Sequence, residues 1–287
     1  MNKKDIFTDS IFLINNYDII FKNSGDELMN NVNKTMYIPL YGKSFVSKKN
    51  LFLSDKKAEE IWEKEQFPLK GKSKSKYLAY FMGIRSRVFD DYVIDNIKEN
   101  TVIIHLGCGL DSRVLRVNTT NKWYDVDFNS VIIERKKYYN ESSNYKMISS
   151  DIRSDAWLKE ITEKDDAIII IEGVSMYLTN EELKEVLVNI STHFSFCKIL
   201  MDSYSLLAAR LSKYKNPVKD VGVSIVYGLD DPRLIENDKI KFIKEHDMTP
   251  LKYIEELKGF EKGLFKKLYA GKFSKKLYKI YEFEKNE

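Results

Sequence analysis

The chain has 287 residues, 43% of them hydrophobic, so it can bury one large core or two smaller ones. Its formal net charge is +4, a small basic excess with lysines spread along the chain, which excludes the strongly basic character of a nucleic-acid-binding protein. Two cysteines and three histidines, far apart in the sequence, exclude a disulfide framework and give no cluster of metal ligands.

The N-terminal region does not have the pattern of a signal peptide or a membrane span, because the apolar stretch Ile11–Ile14 is short and polar residues follow it. A cytoplasmic location without a membrane partner is therefore expected.

Residues 1–60 show helical apolar spacing, and Lys56–Lys64 has the charge pattern of a surface helix. Pro68–Lys76 combines Pro, Gly, Ser and Lys, which predicts a loop. We therefore expect a helical extension over residues 1–75.

A long helix is predicted between Leu78 and Ile97, where apolar residues recur at three- and four-residue steps. Arg85 and Arg87 interrupt this helix near its middle. From the residues alone, each is as compatible with a surface arginine whose aliphatic part packs inward as with a ligand-binding guanidinium.

The middle of the chain alternates short β-branched runs with amphipathic segments. The predicted strands are Thr101–Leu106, Trp123–Val126, Tyr145–Ile148, Ala167–Ile171 and Lys198–Met201. The predicted helices are one that begins at Asp111, Ser130–Tyr139, Ala156–Ile161 and Asn180–His193. This alternation predicts an α/β fold with a parallel sheet, helices on both faces, and ligands at the carboxyl ends of the strands.

The last third of the chain has weaker patterns. The predicted elements are a helix and loop at Ser203–Ser224, a strand at Lys239–Glu245, a helix from Pro250 within Thr249–Leu257, and a terminal strand at Lys276–Phe283. With the preceding strands and helices, they make residues 76–287 one main domain.

Two glycines follow the first predicted strand. Gly107 and Gly109 allow the backbone to approach a ligand closely, since a Cβ at either position would occupy the space of a ribose or a phosphate. Ser112 stands where the dinucleotide-binding fingerprint has its third glycine. The loop therefore favours a ligand without a pyrophosphate.

Acidic residues follow the next three strands. Asp127 can accept hydrogen bonds from both hydroxyls of a ribose, whereas Asp125 would lie deeper in the sheet, where an unpaired charge is costly. Asp151 can accept from an exocyclic amine while Ile152 packs on an adenine, but an ordinary turn acid explains Asp151 equally well. Glu172 follows a run of isoleucines, where a carboxylate is desolvated unless a cation meets it.

Four segments resemble the leucine carboxyl methyltransferase and tetracenomycin-type polyketide O-methyltransferase family: Gly107–Arg113, Tyr124–Asp127, Ser150–Ile152 and Glu172–Leu178. The last segment, Glu-Gly-Val-Ser-Met-Tyr-Leu, is the most specific, and the resemblance extends over about residues 30–205. Members are S-adenosylmethionine-dependent class I methyltransferases. The resemblance implies a Rossmann-like α/β sheet, mostly parallel with an antiparallel C-terminal strand, in a cofactor-binding domain over residues 76–287.

The resemblance also implies a role for each matching residue around S-adenosylmethionine. It places Arg87 at the methionine carboxylate, with Arg85 as the alternative and Lys43 nearby. The remaining positions it implies are Gly107 and Gly109 along the methionine and ribose, Asp127 at the ribose hydroxyls, Asp151 and Ile152 at the adenine, and Glu172 at the ammonium group.

Catalysis requires mainly that a nucleophilic oxygen is aligned with the methyl group on sulfur. Tyr177, Asp202 and Tyr204 lie at or just beyond strand ends, where the acceptor is expected, and the two tyrosines are the catalytic candidates. Each is equally well explained as a structural hydrogen-bonding residue. A carboxylate acceptor needs no general base, whereas a hydroxyl acceptor benefits from one.

The resemblance implies methylation of a carboxyl or hydroxyl oxygen of a small, polyketide-like molecule by a monomer or a homodimer. Methylation of a protein C-terminal carboxylate is the alternative. Residues 1–60 and a lid insertion at about residues 203–265 are expected to cover the acceptor, since substrate choice usually depends on segments outside the shared core.

The residues also bear on three other classes of function. A nucleotide-dependent oxidoreductase would explain the glycine loop and Asp127 but not Ser112 or Glu172. Methylation of nucleic acid is disfavoured, because the segment after the fourth strand has no Asn/Asp-Pro-Pro-aromatic box and the chain has no basic-aromatic stripe. A non-catalytic binding protein that keeps the cofactor pocket stays open.

Overall fold

The computed structural model describes residues 35–69, 71–214 and 226–285. The described α-helices are α1 Tyr37–Lys48, α2 Lys56–Glu65, α3 Lys76–Asn96, α4 Arg113–Val117, α5 Asn129–Arg135, α6 Ala156–Lys159, α7 Asn180–His193, α8 Leu206–Tyr214, α9 Leu251–Ile254 and α10 Gly259–Tyr269. The described strands are β1 Val102–Leu106, β2 Trp123–Asp127, β3 Tyr145–Ser149, β4 Asp166–Ile171, β5 Phe196–Tyr204, β6 Ile240–His246 and β7 Tyr278–Lys285. Two parts of the predicted elements lie outside the described residues. They are residues 1–34 of the N-terminal extension and residues 215–224 of the helix and loop predicted at Ser203–Ser224.

The seven strands form one sheet in the order β3-β2-β1-β4-β5-β7-β6. Strands β1 to β5 pair in parallel, and β7 pairs with β6 in antiparallel orientation. The chain reverses its direction of winding after β3, so that β4 lies beside β1 on the opposite side from β2. The predicted α/β sheet, mostly parallel with an antiparallel C-terminal end, is confirmed.

The parallel strands end at one edge of the sheet. Leu106, the last residue of β1, is opposite Val126 of β2 and Ile171 of β4. Asp127 at the end of β2 is opposite Ser149 of β3. This register brings the residues that follow β1, β2, β3 and β4 to a common edge, which is where open parallel sheets bind ligands.

The core lies against the same strands. β1 and β4 are buried on both faces, as their β-branched sequences require. One face of helix α7 packs into this core through Leu183, Val186, Leu187 and Ile190. Thr179 caps the helix as predicted: its hydroxyl accepts from the Glu182 N–H at 3.1 Å, and the Glu182 carboxylate accepts from the Thr179 N–H at 2.8 Å.

The described chain divides into two compact units. The first contains the described parts of Met1–Val88, Ser205–Gly228 and Asp247–Lys279. The second contains Phe89–Tyr204, Leu229–His246 and the described residues from Ile280 onward, and it includes strands β1 to β6. The domain boundary predicted at residue 75 and the lid function of residues 203–265 stay predictions.

Strand β5 is longer than predicted, because it continues beyond Met201 through Asp202 and Ser203 to Tyr204. The sequence pattern ends the strand at Met201 and predicts a helix and loop from Ser203 onward. In the structure, the Asp202 carboxylate accepts from the Gly173 N–H at 2.7 Å, and its backbone carbonyl accepts from the Ser175 hydroxyl. With its polar groups satisfied, Asp202 is stable inside a buried strand.

Helix α5 is shorter than predicted, and helix α10 is an element that the sequence pattern does not predict. Helix α5 ends at Arg135 rather than at Tyr139, because the N–H groups of Tyr138 and Tyr139 both donate to the Arg135 carbonyl and tighten the last turn. Helix α10 is not predicted, because two glycines lower its helix propensity; buried residues such as Phe265 anchor it instead. No described helix is both long enough and apolar enough to cross a membrane.

Candidate functional site

Five predicted site positions lie in the second unit at the carboxyl ends of the parallel strands. They are Gly107 after β1, Asp127 at the end of β2, Asp151 after β3, Glu172 after β4 and Tyr204 at the end of β5. The strand register places these residues along one edge of the sheet. The site is therefore built from residues that are distant in sequence and adjacent by topology.

The glycine loop needs its glycines for two separate reasons. Gly107 and Gly109 have φ angles of +69° and +50°, in the left-handed region that favours glycine. A Cβ on Gly107 would also lie 2.2 Å from Cγ2 of Val174, in the segment that follows β4. The loop is held to β2 by the Gly107 N–H, which donates to the Val126 carbonyl at 2.8 Å. Close packing between two strand-end segments thus requires glycine at position 107.

Asp127 is a buried carboxylate whose hydrogen bonds come from the backbone. One oxygen accepts from the Gly109 N–H and the other from the Phe128 N–H, both at 2.8 Å. Asp127 is only 9% exposed. Burial raises the pKa of Asp127 to about 6, although the two N–H groups oppose the shift. The carboxylate is therefore hydrogen-bonded to the glycine loop and titrates near pH 6.

Asp125 is fully buried, as predicted for the position deeper in β2, and it is not unpaired. It accepts from the Arg135 guanidinium at 2.5 Å, from the Tyr145 hydroxyl at 2.6 Å and from the Trp123 indole N–H at 2.9 Å. These donors compensate its charge entirely within the protein. Asp125 is accordingly a structural residue.

Asp151 lies in a more exposed pair. Its carboxylate accepts from the Arg153 guanidinium at 3.0 Å and 2.6 Å, and from the Arg153 N–H at 3.0 Å. Burial acts to raise the pKa of Asp151, but Arg153 outweighs burial and holds the pKa below its usual value. Ile152 is buried in the core, where the Trp157 indole donates to its carbonyl at 3.3 Å. An apolar side chain and an ionised carboxylate thus meet at the end of β3.

Glu172 belongs to a buried ion-pair network. Its carboxylate accepts from the guanidinium of Arg113, which is fully buried. The Nε of Arg113 donates to Asp90 at 2.6 Å. Arg116 joins the group through Asp90 at 2.7 Å and through Asp111 at 3.0 Å. Three carboxylates therefore meet two guanidiniums at the end of β4, and all five side chains are buried.

His105 lies inside β1 beside this network. Its Nε2 is 3.3 Å from Nη1 of Arg113, so Nε2 accepts and Nδ1 carries the proton of the neutral ring. Burial, and secondly the positive charge of Arg113, lower the pKa of His105 to about 4. The ring is therefore neutral at physiological pH and does not change the charge of the network.

The predicted catalytic tyrosines have different surroundings. Tyr177 is half-buried in a 3₁₀ turn after β4, and Tyr204 is buried at the end of β5, where its carbonyl accepts from the Leu229 N–H at 2.7 Å. Asp202 bonds the segment that leads to Tyr177, as described above for Gly173 and Ser175. Asp202 thereby fixes the position of that segment.

Three predicted cofactor-binding cations lie in the first unit. Lys43 is buried in α1. Arg85 is buried in α3 and donates to the Tyr278 hydroxyl at 2.8 Å. Arg87 is half-buried, with a longer hydrogen bond of 3.4 Å to a backbone carbonyl and its guanidinium 5.9 Å from the centre of the Tyr253 ring. Both arginines therefore have partners within the first unit.

The residue patterns alone do not assign a role to Arg113 or Arg135, although both are fully buried at this edge. Arg113 stands in the Leu-Asp-Ser-Arg segment directly after the glycine loop, and that position is the signal that points to it. Burial disfavours the charged form of Arg113. The negative charges of Asp111, Glu172 and Asp90 outweigh burial and raise the pKa of Arg113. The edge therefore offers one carboxylate suited to a diol and, in Glu172, a buried carboxylate suited to a cation.

Comparisons with known proteins identify a family and several similar proteins. The family model of leucine carboxyl methyltransferase matches residues 32–191. The tetracenomycin polyketide synthesis O-methyltransferase TcmP of Streptomyces glaucescens is 25% identical over 216 residues, which cover 73% of this chain and 80% of TcmP. The S-adenosyl-L-methionine-dependent methyltransferase dpfgK of Gibberella zeae is 30% identical over 183 residues, which cover 58% of this chain and 61% of dpfgK. The solved structure of magnesium protoporphyrin IX methyltransferase from Synechocystis PCC 6803 with bound SAH has a TM-score of 0.48 and 11% identity, and the match covers 79% of this chain and 94% of that one.

The glycine loop gives a testable prediction about stability. We expect Gly107→Ala to lower the free energy of unfolding by at least about 2 kcal/mol, because the left-handed φ alone costs roughly 1–2 kcal/mol and the new Cβ meets Val174. Urea denaturation measures this change. Gly263→Ala is the matched control, since a Cβ there meets no atom within 4 Å and a helix gains from alanine.

The double variant Gly107→Ala with Val174→Ala separates the two costs. Removal of the Val174 methyl groups should recover the part of the loss that comes from the contact and leave the part that comes from φ. Equal losses in Gly107→Ala and Gly263→Ala would show that position 107 imposes no special requirement.

Proposed function

Because the chain belongs to the leucine carboxyl methyltransferase family, we propose that it transfers a methyl group to a carboxyl or hydroxyl oxygen of a small molecule. The methyl donor is S-adenosyl-L-methionine, and the product of the donor is S-adenosyl-L-homocysteine. The observation that carries the proposal is the edge of the sheet at which a glycine loop, a buried carboxylate and an ion-pair network that contains Glu172 meet. These groups match the diol and the cationic group of the donor.

In our proposal, each residue at this edge contacts a different part of the cofactor. Asp127 accepts from the ribose hydroxyls, and the loop at Gly107 and Gly109 lies along the ribose and methionine. Ile152 packs on the adenine while Asp151 accepts from its amine, which requires Arg153 to share the carboxylate. Glu172 faces the ammonium group.

The methionine carboxylate requires a cation, and we assign it to Arg87. Arg87 is half-buried and has a long hydrogen bond to the Phe52 carbonyl, whereas Arg85 is buried and bonded to Tyr278 at 2.8 Å. The guanidinium of Arg87 is therefore the more accessible of the two to an anion. Arg85 stays the alternative, and Lys43 a supporting charge.

When bound, the cofactor supplies a methyl group already activated on sulfur, so the protein needs mainly to align the acceptor oxygen and exclude water. Such alignment can contribute roughly 7–11 kcal/mol to lowering a barrier. Tyr177 and Tyr204 are our candidates for this alignment. Tyr177 is the better placed for direct contact because it is half-buried, whereas Tyr204 is almost completely buried.

A small-molecule acceptor is supported by TcmP, whose name describes an O-methyltransferase of polyketide synthesis and whose match covers 73% of this chain. The family name favours a carboxyl oxygen, and the protein C-terminal carboxylate is the alternative acceptor that it suggests. We propose that the enzyme acts in the cytoplasm as a monomer or homodimer.

The cofactor assignment predicts the binding of S-adenosyl-L-homocysteine. Isothermal titration calorimetry should show that Asp127→Ala and Arg87→Ala each weaken binding by about tenfold to a hundredfold, the loss of one charge-assisted interaction of roughly 1.5–3 kcal/mol. Asp238→Ala, at an exposed loop acid, is the control and should bind like the unmodified chain. Unchanged affinity in both Asp127→Ala and Arg87→Ala would contradict the assignments.

The acceptor class is tested with a methyl-labelled donor and a panel of aromatic and polyketide-like acids and phenols. A methyl ester releases labelled methanol in mild alkali, whereas a methyl ether does not, so the two kinds of oxygen are separated by one treatment. We expect transfer to small molecules of one of these two classes. Transfer only to the C-terminus of a protein would replace the small-molecule proposal by the alternative.

The raised pKa of Asp127 predicts a pH dependence of cofactor affinity. The ionised carboxylate accepts from the ribose hydroxyls, and protonation removes this capacity, so affinity should fall as the pH drops through about 6. At pH 5, one unit below this pKa, we expect binding about tenfold weaker than at pH 8. Asp127→Asn should bind weakly at both pH values and show no step; a step of the same size in that variant would assign the titration to another group.

A further inference from the structure

We propose that Arg113 is a positioning residue: it fixes the Glu172 carboxylate at the end of β4 so that Glu172 recognises the α-ammonium group of the bound cofactor. This inference rests on the proposed function and deepens it. It assigns a role to a residue that makes no contact with the cofactor in our proposal.

Arg113 has several contacts besides the one with Glu172. Its Nε donates to Asp90 at 2.6 Å, and its backbone N–H donates to Asp111 at 2.8 Å. Its guanidinium carbon is 5.6 Å from the centre of the Phe89 ring. The fully buried guanidinium therefore has a fixed orientation, which it transmits to Glu172 through Nη2.

Glu172 needs such a partner because of where it lies. It is the first residue after β4, it is only 8% exposed, and its side chain has several rotatable bonds. A glutamate without a fixed donor would adopt several rotamers at the strand end and would lose entropy when a ligand binds. The bond from Arg113 confines the carboxylate before the ligand arrives.

The charges of the network favour a cationic ligand. Asp90, Asp111 and Glu172 carry three negative charges, whereas Arg113 and Arg116 carry two positive ones. His105, the remaining titratable group that contacts Arg113, is neutral near pH 7. A ligand cation beside Glu172 would lie close to a carboxylate that is largely removed from water, which favours binding of the cation.

A lysine at position 113 could not replace the arginine. The planar guanidinium uses separate nitrogens for Asp90 and Glu172, Nε for the former and Nη2 for the latter. A lysine ammonium is a single point of charge on a flexible stem and cannot hold both carboxylates in this geometry. Arg113→Lys therefore keeps the charge and removes the orientation.

Calorimetry with two ligands tests the proposal. One ligand is S-adenosyl-L-homocysteine, and the other is 5′-(3-carboxypropylthio)-5′-deoxyadenosine, which lacks only the α-amino group. The unmodified chain should bind the first at least about tenfold more tightly. Arg113→Lys should lose that preference: its affinity for S-adenosyl-L-homocysteine should fall about tenfold while its affinity for the analogue changes less than twofold.

Three further variants separate positioning from a general structural effect. Glu172→Gln should lose the same preference, and Arg113→Lys combined with Glu172→Gln should lose no more than Glu172→Gln alone. Asp90→Asn, which weakens the hold on Arg113 from the side away from Glu172, should reduce the preference in part. Arg233→Lys, at an exposed arginine that pairs with Asp231, is the matched control and should leave both affinities unchanged.

The outcomes distinguish this inference from the proposed function. If Arg113→Lys weakens both ligands equally, or neither, Arg113 does not act through Glu172 and the inference is wrong, while the cofactor assignment stands. If Arg113→Lys does not fold, Asp90→Asn gives the same comparison, and an unchanged preference there overturns the inference. If the unmodified chain binds neither ligand, the proposed function itself fails.

Discussion

The structure of the site depends on buried negative charge at the carboxyl ends of the parallel strands. A carboxylate removed from water must be compensated by a cation, by hydrogen-bond donors or by a proton. The second unit compensates each of these carboxylates in a different way. Asp125 has Arg135, Asp127 has two backbone N–H groups and a raised pKa, and Glu172 shares Arg113 with Asp90. The kind of partner determines whether each carboxylate can still accept a hydrogen bond from a ligand.

The comparison of Asp125 with Asp127 shows this most directly, because the two residues lie on the same strand and point to the same face. Asp125 accepts from a guanidinium, a phenol and an indole, so its charge is satisfied and a ligand would have to displace strong donors. The partners of Asp127 belong to the glycine loop and its own strand end. A carboxylate bonded to the loop that lines the ligand is suited to bind it.

Topology explains why much of this site is predictable from the sequence. The β-branched runs fix the strands, and parallel pairing then brings Gly107, Asp127 and Glu172 to one edge without any knowledge of side-chain contacts. The partners of these residues are not predictable in the same way. Arginine is usually exposed, and the burial of Arg113 and Arg135 depends on acids contributed by other segments of the chain. Such pairings arise only when the elements pack together.

The same reasoning applies to the segment after β4. Its position is set from two sides, since Asp202 of β5 accepts from Gly173 and Ser175, while Val174 packs against Gly107 of the neighbouring loop. Local sequence indicates a turn there but cannot indicate these contacts, because the residues that make them are far away in the chain. The polar Asp202 inside a strand and the left-handed Gly107 are thus two parts of one arrangement. Each is unfavourable in isolation, and together they fix the backbone from which Glu172 and Tyr177 extend.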